Sequence, residues 1–248
     1  MMYVDVHAHL DHFDSNDLRV IIENAKNAGL KAIITNGINP KTNRTALKLV
    51  KEYSIVKAAL GLYPIDALKL KSEEIDAELK YIYGARDQIV AVGEVGLDYY
   101  WDQTKNKEQR EIFSKVIKLC EKIRKPIIVH SRKAEVDVIS MLESSSIKKV
   151  IMHCFGGRLS LTKQARDHGY YFSIPTNIVK SMHFQRIVEE LPIGQILTET
   201  DSPYLGIVNG KGNEPANVVE GVNKIAEVKS LDAEECKKMI YQNYQKVF

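Results

Sequence analysis

Apolar residues recur along this chain in two alternating rhythms. Short runs rich in Val, Ile, Leu and Ala punctuate longer stretches in which apolar positions return every three or four residues. The short runs read as strands at residues 3–7, 31–35, 56–62, 89–92, 126–129, 150–152, 170–174 and 195–197. Helical stretches separate them. Residues 18–28 form one, closed by Gly29, a residue at ease in the left-handed conformation that ends helices. Another follows Pro40. Residues 72–83 open on Ser72 with Glu73 and Glu74 behind it, which suits the partial positive charge of a helix N-terminus. Ile112, Val116, Leu119, Cys120 and Ile123 mark a further helix, and residues 218–247 are helical with a break near 230–232.

Eight strands alternating with helices imply a parallel sheet, because parallel neighbours need crossover connections. An open doubly wound sheet and a closed barrel both fit the alternation. Strand count and a length of 248 residues favour the TIM (β/α)8 barrel of the α/β class. No linker or low-complexity stretch interrupts the pattern, so the chain reads as a single domain over residues 1–248. Residues 207–216 (IVNGKGNEPA) read as a long loop after the last strand. With 44% hydrophobic but only 8% aromatic residues, the core must be built from aliphatic side chains.

Charge and cysteine content narrow the setting. There are 35 basic and 32 acidic residues, a formal charge of +3, too even to imply a nucleic-acid or membrane partner by itself. Cys120, Cys154 and Cys236 are odd in number and lack CxxC spacing, which argues against a disulfide framework or a zinc ribbon and for a reducing compartment. The N-terminus lacks a signal-peptide pattern, and no apolar run approaches the roughly 20 residues of a membrane span. A cytoplasmic location without membrane association is expected; nothing in the sequence sets the oligomeric state.

The candidate chemistry sits at strand ends. His7 and His9 end strand one, His130 ends strand five and His153 ends strand six; Glu94 and Asp201 come just after strands four and eight. In a parallel barrel all six open onto the C-terminal face, where active sites form. His7 and His9, two apart in an extended chain, share one side. Four imidazoles and two carboxylates suit borderline divalent metals. Six ligands exceed the need of one catalytic metal, and a bridging carboxylate would let them serve two ions about 3.5–4 Å apart. Each residue also has a plainer reading: a hydrogen-bonded histidine, a solvated Glu in the tight turn of Gly93-Glu94-Val95-Gly96, or a turn at Asp201-Ser202-Pro203. Coincidence at one rim favours the site. His12, His168 and His183 are assigned the plain role.

These residues resemble the TatD family of metal-dependent hydrolases, within the amidohydrolase-like barrels. Asp5-Val6-His7-Ala8-His9-Leu10, Gly93-Glu94-Val95-Gly96-Leu97-Asp98, the PIIVHSR stretch ending at Arg132, His153-Cys154-Phe155-Gly156-Gly157, Glu199-Thr200-Asp201-Ser202-Pro203-Tyr204 and Asn213-Glu214-Pro215 are similar to its motifs, in order and nearly end to end. One departure stands out: Gly61-Leu62-Tyr63-Pro64 replaces a G-x-H-P pattern, so Tyr63 occupies the place of a family His. The resemblance implies His7, His9 and Asp201 on one metal, His130 and His153 on the second, and Glu94 bridging. Glu199 would orient a ligand by hydrogen bond. Arg132 is an anion contact by its forked guanidinium, or else a surface arginine. The metal pair would be Zn, Mn, Mg or Ni.

The resemblance further implies a deoxyribonuclease, with DNA as the partner and phosphodiester hydrolysis by a metal-activated water. Asp201 would be the general base and Glu94 would complete the catalytic set. No nucleophilic Ser or Cys is needed, and Cys154 reads as buried filler. Tyr99-Tyr100-Trp101 stack nucleobases or cap the barrel. The basic run from Lys105 to Lys125 reads mostly as a solvated helix face. Two other classes stay open: a deacylase or amidase using the same metals, and a non-catalytic metal-binding protein. A glutamate rather than a modified lysine at the bridging position favours the nuclease branch.

Overall fold

Each of the eight short apolar runs forms a strand in the computed structural model, which describes residues 2–207 and 212–248. They are β1 (Tyr3–Ala8), β2 (Leu30–Asn36), β3 (Val56–Leu60), β4 (Ala91–Asp98), β5 (Ile127–Arg132), β6 (Val150–His153), β7 (Tyr171–Pro175) and β8 (Ile196–Glu199). Neighbours in sequence are neighbours in the sheet, and all pair in parallel. The sheet curls until β8 returns to β1. The Thr198 hydroxyl donates to the Val4 carbonyl, and beyond β8 the Asp201 N–H donates to His7 O and the His9 N–H to Ser202 O, each at 2.8 Å. The chain is therefore a TIM barrel.

Helices cover the outside: α1 (Ser15–Ala28), α2 (Pro40–Glu52), α3 (Pro64–Ala67), α4 (Ser72–Gly84), α5 (Asn106–Ile123), α6 (Glu135–Glu143), α7 (Leu159–Asp167), α8 (Met182–Glu190), α9 (Val218–Lys229) and α10 (Ala233–Val247). Helix α1 buries Leu18, Ile21, Ile22 and Ala25, a single stripe at helical spacing. It stops where Gly29 takes φ 91° and returns its N–H to the Ala25 and Lys26 carbonyls. Helix α2 starts at Pro40 because the Asn39 side chain accepts from the Lys41 and Thr42 N–H groups. The predicted break near residue 230 lies between α9 and α10, where Asp232 caps α10.

The core is mainly aliphatic, as composition requires, with Phe113, Phe155 and Phe172 among its few buried rings. Each fully buried side chain of this size contributes about 1.5–3 kcal/mol. Among the described residues no helix is long and apolar enough to cross a membrane. In the predicted loop, residues 208–211 lie outside the described part, while Pro215–Asn217 form one turn of 3-10 helix.

Two strands overrun the sequence reading. Expected to end at residues 92 and 129, β4 and β5 continue to Asp98 and Arg132. Backbone pairing does not stop where hydrophobicity does: Val95 pairs with Val129, Gly96 with His130 and Asp98 with Arg132. Glu94 and His130 are thus inside strands rather than at or beyond their ends. The tight-turn reading of the glycines is wrong. A Cβ on Gly96 would lie 2.0 Å from the His130 carbonyl oxygen, and one on Gly61 would lie 2.3 Å from that of Glu94. The glycines admit neighbouring backbone at the site.

Candidate metal centre

The C-terminal rim gathers all six candidate ligands. Asp5, His7 and His9 alternate along β1 and its extension, so the two imidazoles reach the same side, their Nε2 atoms 3.3 Å apart. Glu94 projects from β4, with Oε2 3.4 Å from His7 Nε2 and 3.5 Å from His9 Nε2. Asp201, tied by its N–H to the His7 carbonyl, brings Oδ1 to 3.6 and 3.4 Å from the same two nitrogens. On the other side of Glu94, Oε1 lies 2.8 Å from His130 Nδ1 and 4.0 Å from His153 Nε2. Potential donor atoms fall into a His7–His9–Asp201 group and a Glu94–His130–His153 group, and a third group joins His7, His153 and Glu199.

The hydrogen bonds on the far ring nitrogens decide what the near nitrogens offer. His9 Nδ1 meets the Asn36 carbonyl at 3.1 Å, a pure acceptor, so Nδ1 carries the hydrogen and Nε2 presents a lone pair. His153 Nδ1 faces Glu199 Oε2 at 2.8 Å, and His130 Nε2 faces Asp98 Oδ2 at 2.8 Å. In their neutral forms these rings aim lone pairs at carboxylate oxygens, an arrangement that only positive charge makes favourable. The titration shifts agree. Burial disfavours a charged His130, but its bonds to Asp98 and Glu94 outweigh that and raise it to about 9. Burial likewise opposes a charged His153, yet Glu199 and Asp201 raise it to about 9. His7 goes the other way, to about 4, through burial and the cation forming on His153, whose ring stacks on it at 3.6 Å. Glu94 is held well below the usual carboxylate range: burial raises it, and His130 and His7 more than reverse that. The pocket is short of positive charge, and the donor set fits divalent cations.

Glu199 touches His153, and Tyr63, just beyond β3, donates its hydroxyl to Asp98 Oδ2 at 2.7 Å. Arg132 lines the cavity above the centre, with its guanidinium 3.8 Å from the centroid of the Tyr100 ring. That cavity measures about 470 Å³ and adjoins a second lobe of about 440 Å³ that shares His130, Arg132, His153 and Asp201. No residue of the basic run on and beside α5 lines either lobe; Arg110 pairs with Asp137 and Lys115 with Asp76.

Sequence reasoning missed several residues. Asp98 received no role, although it shares the face of β4 with Glu94, four positions away. Its Oδ2 takes His130 and Tyr63, and its Oδ1 accepts from the Tyr100 and Trp101 N–H groups. Asp5, buried, accepts from the His7 N–H and from the N–H and hydroxyl of Thr200, fastening β1 to the segment after β8. His12 lines the cavity, stacks on His9 and pairs with the Tyr204 hydroxyl at 3.0 Å, and it belongs to none of the candidate donor groups. His168 stays apart, bonded to Glu143. Cys154 is half-buried; it packs against the core and also borders the second lobe. Burial and Glu199 push its thiol well above the ordinary range, which leaves it a poor nucleophile.

Burial and Asp98 also raise the Tyr63 phenol above its usual value, so it stays a hydrogen-bond donor. Tyr63→Phe is expected to keep metal content, measured by elemental analysis, and to lower catalytic efficiency by about tenfold. Loss of metal in that variant would show that the hydroxyl supports the ligands rather than the reaction.

The family model described as TatD related DNase matches residues 4–248. The chain is 34% identical over 255 residues to the uncharacterized metal-dependent hydrolase YabD of Bacillus subtilis, covering 100% of this chain and 99% of that protein. It is 33% identical over 257 residues to deoxyribonuclease TATDN3 of Homo sapiens, covering 99% and 94%. The crystal structure of YJJV, a TatD homolog from Escherichia coli, matches with a TM-score of 0.92 at 25% identity, over 99% of this chain and 97% of that one.

Proposed function

This chain belongs to the TatD-related DNase family of metal-dependent hydrolases, and from that premise we propose that it is a deoxyribonuclease cutting phosphodiester bonds at a two-metal centre. The observation that carries the proposal is the arrangement of Glu94, whose two oxygens face separate ligand groups: His7, His9 and Asp201 on one side, His130 and His153 on the other. When bound there, two divalent ions supply an acidified water and neutralise charge on the phosphate. The chain does the rest. Asp201, whose burial is more than offset by its bond to His9 together with the charges of His153 and His7, stays ionised and takes the proton from the attacking water. Asp98 and Glu199 fix the orientation of His130 and His153. Arg132 meets a non-bridging phosphate oxygen with its guanidinium.

The human relative's name says deoxyribonuclease, and the cavity opens among basic, polar and aromatic side chains that suit a nucleotide. An even overall charge gives little long-range attraction, so the grip must be local. Arg132, with Lys133 beside it on the wall of the second lobe, offers two local phosphate contacts, which imply that affinity for a single strand falls roughly sevenfold between about 50 and 200 mM salt. Initial rates at subsaturating DNA should follow that slope, and a flat response would remove these contacts from the account.

The test is a metal-titrated activity screen of the purified protein on a labelled oligonucleotide beside simple esters and aminoacyl substrates. Cleavage of the oligonucleotide is expected to require added metal and vanish with chelator. Cleavage of esters alone would transfer the same centre to a deacylase.

A further inference from the structure

Of the six exposed large hydrophobic side chains among the described residues, Trp101 and Tyr204 line the active-site cavity and Tyr100 packs against Arg132 of its wall. Trp101 is 64% exposed, Tyr204 52% and Tyr100 49%. Two of these rings are already engaged. The Tyr100 face carries the Arg132 guanidinium, and Tyr204 is tethered by its hydroxyl to His12. Trp101 is different. Its indole meets the Tyr100 ring at right angles, centroids 5.1 Å apart, and borders the cavity with most of its surface in water. An aromatic of this size kept at the mouth of a site, not packed away, marks a place where a partner supplies the missing contact.

The backbone beneath Trp101 is not loose. Asp98 Oδ1 accepts from the Tyr100 and Trp101 N–H groups at 2.9 and 3.1 Å, while Oδ2 of the same carboxylate takes His130 and Tyr63. One buried side chain thus indexes the indole to the catalytic centre. Arg132, 3.8 Å from the Tyr100 centroid and 5.6 Å from that of Trp101, lines the same cavity as Trp101 and the candidate ligands. That one cavity holds carboxylates and imidazoles, a guanidinium suited to phosphate and a largely exposed indole, and a nucleotide offers a phosphate and a base to match.

From this juxtaposition we infer that Trp101 is a nucleobase-binding residue of the active site, on which a base next to the bond being cut stacks while Arg132 holds the adjoining phosphate. The inference rests on the deoxyribonuclease reading and deepens it, since phosphodiester recognition alone would need no base. Stacking accepts any base, because each has a π face, so the contact adds affinity without sequence preference.

The chain has a single tryptophan, so its fluorescence reports on position 101 alone. The experiment titrates metal-loaded Asp201→Asn protein, which should hold the strand uncut, with oligothymidylate and with an oligomer of equal length whose sugars carry no bases. Oligothymidylate is expected to quench the tryptophan and the base-free strand is not. In otherwise native enzyme, Trp101→Ala is expected to raise KM for oligothymidylate roughly tenfold or more, with kcat nearly unchanged. The base-free strand should lose no affinity, and Trp101→Phe should restore most of the loss for oligothymidylate. Equal quenching by both strands, or equal weakening of both in Trp101→Ala, would overturn the inference. If oligothymidylate is cut normally with no change in fluorescence, the stacking role falls and the deoxyribonuclease reading stands. If wild-type protein neither binds nor cuts it under any metal, both fall together.

Discussion

Replacement of Glu94 by alanine is expected to empty both metal positions and abolish hydrolysis. Glu94 is 4% exposed and sends one oxygen to His7 and His9 and the other to His130 and His153. Asp201 Oδ1 also faces His7 and His9, at 3.6 and 3.4 Å, and reaches His153 at the same 4.0 Å as Glu94 does, but of the two carboxylates only Glu94 also meets His130, at 2.8 Å. Loss of an outer hydrogen-bond partner already costs about 10–100-fold in metal affinity or activity, so loss of a shared ligand should exceed that at both positions. Elemental analysis after reconstitution should give near two equivalents for the native protein and less than one for the variant. Glu94→Gln, which keeps the shape and removes the charge, guards against a folding defect. If Glu94→Gln retained two equivalents and folded normally, Glu94 would not bridge.

Asp201→Asn should behave differently, losing turnover while keeping the fold and much of the metal. Asp201 adopts φ 56°, a left-handed conformation that asparagine tolerates and most residues do not. Its backbone N–H stays bonded to the His7 carbonyl whatever the side chain. An amide oxygen can still ligate, but it accepts no proton at neutral pH. A general base is worth about 10²–10⁴ in rate, and that is the expected fall in kcat. Near-native kcat in a folded, metal-loaded variant would exclude Asp201 as the base.

Most of the barrel could be read from the sequence because all eight strands are short apolar runs closed by turns or helix starts. What the sequence misjudged was where strands end. Gly96 and Asp98 are residue types depleted in strands, yet pairing with β5 extends β4 through them. The same blindness hid Asp98: its role depends on His130 and Tyr63, 32 and 35 residues away, which only the closed sheet brings near. The place of His12 on the cavity wall carries no periodic signal in the sequence; the 3-10 turn at Leu10–His12 stacks it on His9. The six candidate ligands were visible individually at strand ends, while their division into two groups around Glu94 came only from the family resemblance, because spacing along the chain carries no information on which ligands face one another across the barrel.

The most direct test of the proposed two-metal centre is an anomalous difference map from crystals of the native protein reconstituted with manganese or zinc. Two peaks about 3.5–4 Å apart are expected, one among His7, His9 and Asp201 and the other beside His130 and His153, with Glu94 reaching both. A single peak at full metal loading, or a metal held by His7, His153 and Glu199 with Glu94 unbound, would contradict the account.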